Sequence, residues 1–210
     1  MGKVEQNKHN KRTSLLQNAY QLFEDRGFSK TTISDIVKES GLAKGTFYLY
    51  FKDKYDLRDQ LVAKKSGQVL LYALEAVQNS PKPPENLEAY IFTLTDFILD
   101  YLQHNRKLLN FISRNLSWGH FKHAVESSAN PEHATEDSEI LSRVYQDFLA
   151  ALERDCYHCE QPELLLFTII ELIGSTGVSC IMYETPCTLE IYLPYLHNAI
   201  HHILESYKMK

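Results

Sequence analysis

The sequence predicts an all-α protein, and three observations carry that prediction. Glycine and proline are scarce, 8 and 7 in 210 residues, and no proline precedes Pro81. Apolar residues recur at spacings of three and four through most of the chain, the period of one helix face. No run of alternating apolar and polar residues lies between turn signals, so no strand pattern competes. A chain of this length can bury the core of one or two domains.

Taken in order, residues 1–10 are polar and charged and read as a loose arm whose Lys3 and Lys8, with Lys11 and Arg12 just beyond, can meet phosphates. The first helix carries Leu15, Leu16, Ala19, Leu22 and Phe23 on one stripe. Gly27 is placed to end it, and Phe28 to pack back on the core. Ile33, Ile36 and Val37 form the apolar face of a short second helix. Thr32 is its expected N-cap, with Asp35 as capping-box partner. Ser40-Gly41 stops that helix, since glycine takes the positive φ of a sharp turn, and Leu42 plugs the corner. A third helix is expected over 43–51, with Phe47 and Phe51 inward. Two short helices joined by a tight turn are the layout of a helix-turn-helix, whose second helix enters a DNA major groove.

Asp53 can cap a long fourth helix bearing Leu57, Leu61, Val62, Val69, Leu70, Ala73 and Leu74. The Asn79-Ser80-Pro81-Lys82-Pro83-Pro84 stretch is the clearest boundary in the chain. Further helices are expected over 85–104, 107–116, 138–157, 162–183 and 192–207, the last tolerating Pro194 near its start. Residues 118–121 read as irregular or a short helix, and 126–136 as a mobile loop. Two domains follow: 1–54 as a DNA-binding head and 55–210 as a helical regulatory and dimerisation body.

Charge agrees with that division. Residues 1–65 hold 13 Lys/Arg against 8 Asp/Glu, and the remainder 9 against 19. A basic head on an acidic body suits a head that meets nucleic acid. The polar N-terminus predicts no signal peptide, and four cysteines without a secretion signal fit a reducing cytoplasm. The stretch 164–182 is apolar enough to raise the question of a membrane span. It contains Glu171 and several hydroxyls and lacks flanking Lys/Arg, so a buried interface helix is expected and no membrane partner.

The motifs A-x-x-L-F-x-x-x-G-F from Ala19, T-x-x-x-I from Thr32 and G-T-F-Y-x-Y-F-K-x-K from Gly45 occur in order. Through them, residues 11–61 resemble the helix-turn-helix head of the TetR/AcrR family of bacterial transcription regulators. The resemblance implies operator-DNA contacts from Lys44, Gly45, Thr46, Tyr48, Tyr50 and Lys54. The residue chemistry agrees: lysine meets phosphate or guanine, the hydroxyls fix register on phosphate oxygens, and glycine permits close approach. Thr32 can offer its hydroxyl and N–H to a phosphate, while Ser34 is too small and neutral to add a base contact. The resemblance also implies a repressor that binds a palindromic operator as a homodimer and is released by a small apolar or aromatic effector.

Tyr101, Phe111, Trp118, Phe121, Tyr145 and Phe148 are aromatic enough to line an effector pocket. The helices over 163–183 and 192–207 have more apolar surface than one face needs. Ile169, Ile173, Gly174, Gly177, Ile200 and Leu204 are therefore expected to build a two-fold four-helix interface, the glycines admitting a partner helix. Cys156, His158 and Cys159 resemble half of a zinc site or a redox pair, but no further spacing completes the set, so a helix end with buried thiols is favoured. His197 and His201, four apart, have metal-holding spacing without the glutamate that completes such a motif, and interface polar residues are the favoured role. No cofactor is expected. No nucleophile elbow, phosphate loop, triad or carboxylate pair is present, so an enzyme is not expected. The alternative regulators are one whose body binds a protein partner and one that responds to metal or oxidation through Cys156, His158 and Cys159.

Overall fold

The computed structural model describes residues 2–113, 122 and 136–209. Among them the secondary structure is helical apart from an isolated bridge between Cys159 and Lys208. The chain divides into two compact units, 1–63 and 64–210. The line between them falls inside the helix Lys54–Gln78 (α4).

In the first unit α1 spans Lys3–Arg26 and buries Leu15, Leu16, Ala19, Leu22 and Phe23. The expected loose arm is its first two turns: no glycine or proline interrupts the run, and Gln6 donates to Asn10 across one turn at 3.2 Å. Gly27, at φ 82°, closes the helix with its N–H on the Phe23 carbonyl at 3.0 Å. Helix α2 (Ile33–Glu39) opens with the expected capping box. The Asp35 N–H donates to Thr32 Oγ1 at 3.2 Å, and the Thr32 N–H to Asp35 Oδ2 at 2.9 Å. It closes at Gly41, φ 64°. There the Gly41 and Leu42 N–H groups satisfy the Lys38 and Val37 carbonyls at 3.1 and 2.9 Å, the paired bonds of a Schellman end.

Helix α3 spans only Lys44–Phe47, not the expected 43–51, and 48–50 continue as tight turns. The Leu49 and Tyr50 N–H groups reach back three residues, to Thr46 and Phe47 carbonyls, while that of Phe51 reaches back four. Glycine, a β-branched residue and consecutive aromatics are poor helix formers, so burial of Phe47 and Phe51 sets the path here rather than propensity. Asp53 then caps α4, its Oδ1 accepting the Tyr55 and Asp56 N–H groups at 2.7 and 2.9 Å.

The second unit is built around α5 (Leu87–His104), which packs against α6 (Arg106–Ile112), α7 (Glu136–Arg154), α8 (Pro162–Tyr183) and α9 (Leu189–Tyr207). Asn86 caps α5 by accepting the Ala89 N–H at 2.8 Å, and the Asp155 carboxylate accepts the Leu87 N–H. Helix α9 begins three residues earlier than expected, so Pro194 lies inside it, at an exposed position.

Candidate nucleic-acid interface

The head presents its third helix on a braced frame. Asn18 on α1 donates to Ser40 Oγ at the end of α2 at 3.1 Å, and the buried Thr31 hydroxyl is within 3.2 and 3.0 Å of the Leu22 and Gly27 carbonyls. A polar relay crosses from α1 to the end of the recognition turn. Arg12 donates to Gln60 Oε1 at 2.6 Å, Gln60 to Asp56 Oδ1 at 2.9 Å, and the Lys52 N–H to Asp56 Oδ2 at 2.8 Å. Phe47 and Phe51, ring centroids 5.4 Å apart, root the element in the core.

On that frame Lys44 and Gly45 are exposed, Tyr48 is 53% exposed, and Thr46 and Tyr50 are half-buried. These five candidates share one short segment with the exposed Leu49, which sequence reasoning passed over because it reads as a core type. Space is open where a Gly45 Cβ would stand, so a partner can reach the backbone.

Two candidates are engaged differently from the expectation. Thr32 directs both its hydroxyl (2.6 Å) and its N–H at the Asp35 carboxylate, and these bonds hold that carboxyl below its ordinary range. Thr32 is thus occupied as a cap. Lys54 sends its ammonium to the Phe28 and Thr31 carbonyls, each at 2.8 Å, and over the Phe28 ring at 4.3 Å from its centroid. Arg58 lies 5.0 Å from the same ring.

Residues 15–61 match the family described as bacterial regulatory proteins, tetR family. Two relatives from Bacillus subtilis (strain 168) share the head. One is the HTH-type transcriptional regulator YvdT, 33% identical over 86 residues, covering 41% of this chain and 40% of that protein. The other is a fatty acid metabolism regulator protein, 31% identical over 84 residues, covering 40% and 43%. The head, residues 15–61, is thus of the tetR-family type. The matches span about two fifths of the length of these curated relatives. Likeness of fold runs further. The transcriptional regulator FadR from Bacillus subtilis, solved in complex with stearoyl-CoA, superposes with a TM-score of 0.58 over 94% of this chain and 99% of its own, at 20% identity.

In the body, the Tyr101 ring centroid is 5.8 Å from that of Tyr72 and 6.4 Å from that of Phe97; Phe111 and Tyr145 are half-buried and Phe148 is buried. Trp118 and Phe121 lie outside the described residues. Tyr72 belongs to α4, ahead of the proline-rich boundary. Tyr90 is buried, its hydroxyl has no hydrogen-bond partner among the described residues, and burial pushes its phenol up to about 12.

Of the residues expected at a subunit interface, Ile169, Gly177, Ile200 and Leu204 are buried within one chain, and Ile173 and Gly174 are half-buried. Gly177 faces α5 of its own chain. Among the described residues of α8 and α9, the exposed large apolar side chains are Leu164, Phe167, Tyr183, Ile191 and Tyr195. His197 and His201, expected as polar interface residues, meet α5 carboxylates of the same chain, Asp96 at 2.6 Å and Glu88 at 3.2 Å.

Cys156 is exposed and Cys159 half-buried, so the expected buried thiols are not seen here. Cys156 ends α7 at φ 50°, and the segment it opens fastens the C-terminal tail: the Met209 N–H donates to the His158 carbonyl at 2.9 Å, and the Tyr157 hydroxyl to the Leu204 carbonyl. The contacting thiols are instead Cys180 and Cys187; burial first, then the neighbouring Cys187, pushes the Cys180 thiol up.

Proposed function

We propose that this protein is a DNA-binding transcription regulator, a repressor that grips a palindromic operator as a homodimer and lets go when a small apolar or aromatic molecule occupies its body. The observation that carries the reading is the exposed group Lys44, Gly45 and Tyr48, with Thr46 and Tyr50 beside them, on an element rooted by two buried phenylalanines. A cation, hydroxyls and open backbone on one surface suit phosphates and base edges, and the basic balance of the head favours the same partner. One short element reads few base pairs, which is why two copies and a two-fold site are proposed. The body's aromatics Tyr101, Phe111, Tyr145 and Phe148 favour an apolar effector. A long-chain acyl-CoA belongs in the first panel of compounds, because stearoyl-CoA is bound by the similar FadR.

Selection of bound duplexes from a random pool by the purified protein tests the reading. A two-fold sequence is expected, with affinity falling steeply as salt rises through counterion release. Lys44→Ala is expected to weaken binding by about 1–3 kcal/mol at one base position if the lysine reads a base, or evenly across sequences with a shallower salt slope if it meets phosphate. Enrichment of no sequence, together with binding indifferent to salt, removes the reading.

A further inference from the structure

The recognition turn carries one side chain that the contacts above leave without a role. Leu49 is 78% exposed, the most exposed large apolar residue among the described residues. It sits at the middle of the turn 48–50, midway between Phe47 and Phe51, which are 0% and 1% exposed. Two anchors pulled into the core hold the residue between them outward. Four residues before it, Gly45 has no side chain, and no described atom lies within 4 Å of where its Cβ would stand. Exposed lysines, Lys44 and Lys52, flank the turn in sequence.

A single exposed leucine is ordinary on a protein surface. This one stands on the element that meets the partner, between cations, so its surroundings suit a polyanion that also offers a small apolar patch. The base edges in a DNA major groove are hydrogen-bond donors and acceptors, with one apolar group among them, the thymine 5-methyl. We propose that Leu49 is a specificity-determining residue that packs on a thymine methyl in the operator's major groove, while Gly45 leaves room for the base edge to come close. The proposal rests on the DNA-binding reading and names the group that one side chain recognises.

Deoxyuridine isolates the contact, because it keeps thymine's pairing and its O4 acceptor and lacks only the methyl. Each thymine of the selected duplex is replaced singly by deoxyuridine, and binding is measured for the wild type, Leu49→Ala and Leu49→Met. At one thymine per half-site the wild type is expected to lose about fourfold in affinity, the worth of one buried methyl-sized group. Leu49→Ala should bind the all-thymine duplex more weakly, with its salt slope unchanged, and treat thymine and deoxyuridine alike at that position. Leu49→Met keeps an apolar tip and should still discriminate, which separates a lost contact from a damaged head. A wild type indifferent to every replacement overturns the proposal, as does a Leu49→Ala protein that keeps the wild-type ratio. Should the wild type bind no duplex at all, the DNA-binding reading fails and this proposal goes with it.

Discussion

Lys54 stands where the family resemblance implies a DNA contact, yet two of its three N–H groups are directed to the carbonyls of Phe28 and Thr31. Those carbonyls flank the corner between α1 and α2, so the ammonium ties that corner to the start of α4. A tie and a phosphate contact are separable by salt, because each phosphate neutralised adds about 0.9 to the slope of log affinity against log salt. Lys54→Met is expected to weaken operator binding with the slope unchanged, and to lower the stability of the head by about 1–3 kcal/mol through the charged hydrogen bonds lost at the Phe28 and Thr31 carbonyls, the former keeping only the Thr31 N–H at 3.3 Å. A slope lowered by about 0.9 would make Lys54 a phosphate ligand after all. Cys156 offers a second case in which backbone decides. It ends α7 at φ 50°, its N–H and that of Tyr157 bonding the Glu153 and Leu152 carbonyls at 3.1 and 2.9 Å. Glycine is the ordinary residue at that left-handed position, and a Cβ there costs about 1 kcal/mol. Cys156→Gly should therefore raise the denaturation midpoint by roughly that stability, whereas Cys156→Ala should not. Spacing alone drew attention to the Cys156 thiol, and spacing says nothing about φ.

At the scale of elements, what was legible followed from local chemistry. The Thr32–Asp35 capping box, the glycine ends at Gly27 and Gly41, and the Asp53 cap of α4 each depend on residues within a turn of one another, and each stands as expected. Periodicity likewise located α5 to α9. It does not say which neighbour covers a stripe, and there the expectation for Gly177 departed from the structure. A Cβ on Gly177 would lie 2.5 Å from Leu99 Cδ2, so this glycine lets α8 close on α5 within one chain. The same blindness to tertiary packing left Ile200 and Leu204 assigned to a partner although the chain buries them itself. Gly177→Val should destabilise the body by about 1–3 kcal/mol through overpacking. Combining it with Leu99→Ala should recover part of that loss, since each change fills or empties the other's space. Strict additivity of the two in urea denaturation would place Gly177 elsewhere than against Leu99.

For the molecule as a whole, α8 poses the question of what covers it. Its 22 residues have a mean hydropathy of 2.0 over the most apolar window, and only 33% of that window is buried within the chain. Leu164 on α8, and Ile191 and Tyr195 on α9, are at least half exposed. A second copy meeting the first across a two-fold axis would pair these helices with their equivalents and remove that apolar surface from water. The expected sedimentation mass is then twice 24.3 kDa at micromolar concentration. The exposed residues, rather than the buried Ile169 or Ile200, are the ones to change: Leu164→Glu with Tyr195→Glu should give a folded monomer with an unaltered helical spectrum, because neither side chain is part of the core. Its heads remain intact, so the effect on DNA is a matter of valency. Two linked heads on two half-sites gain about 10²–10⁴ in affinity over one head. The monomeric variant should lose that factor on the selected operator, halve its salt slope, and bind an isolated half-site as well as the wild type does. A double variant that still sediments as a dimer would mean that the interface lies elsewhere. One that is monomeric yet binds the full site undiminished would mean that the heads act singly.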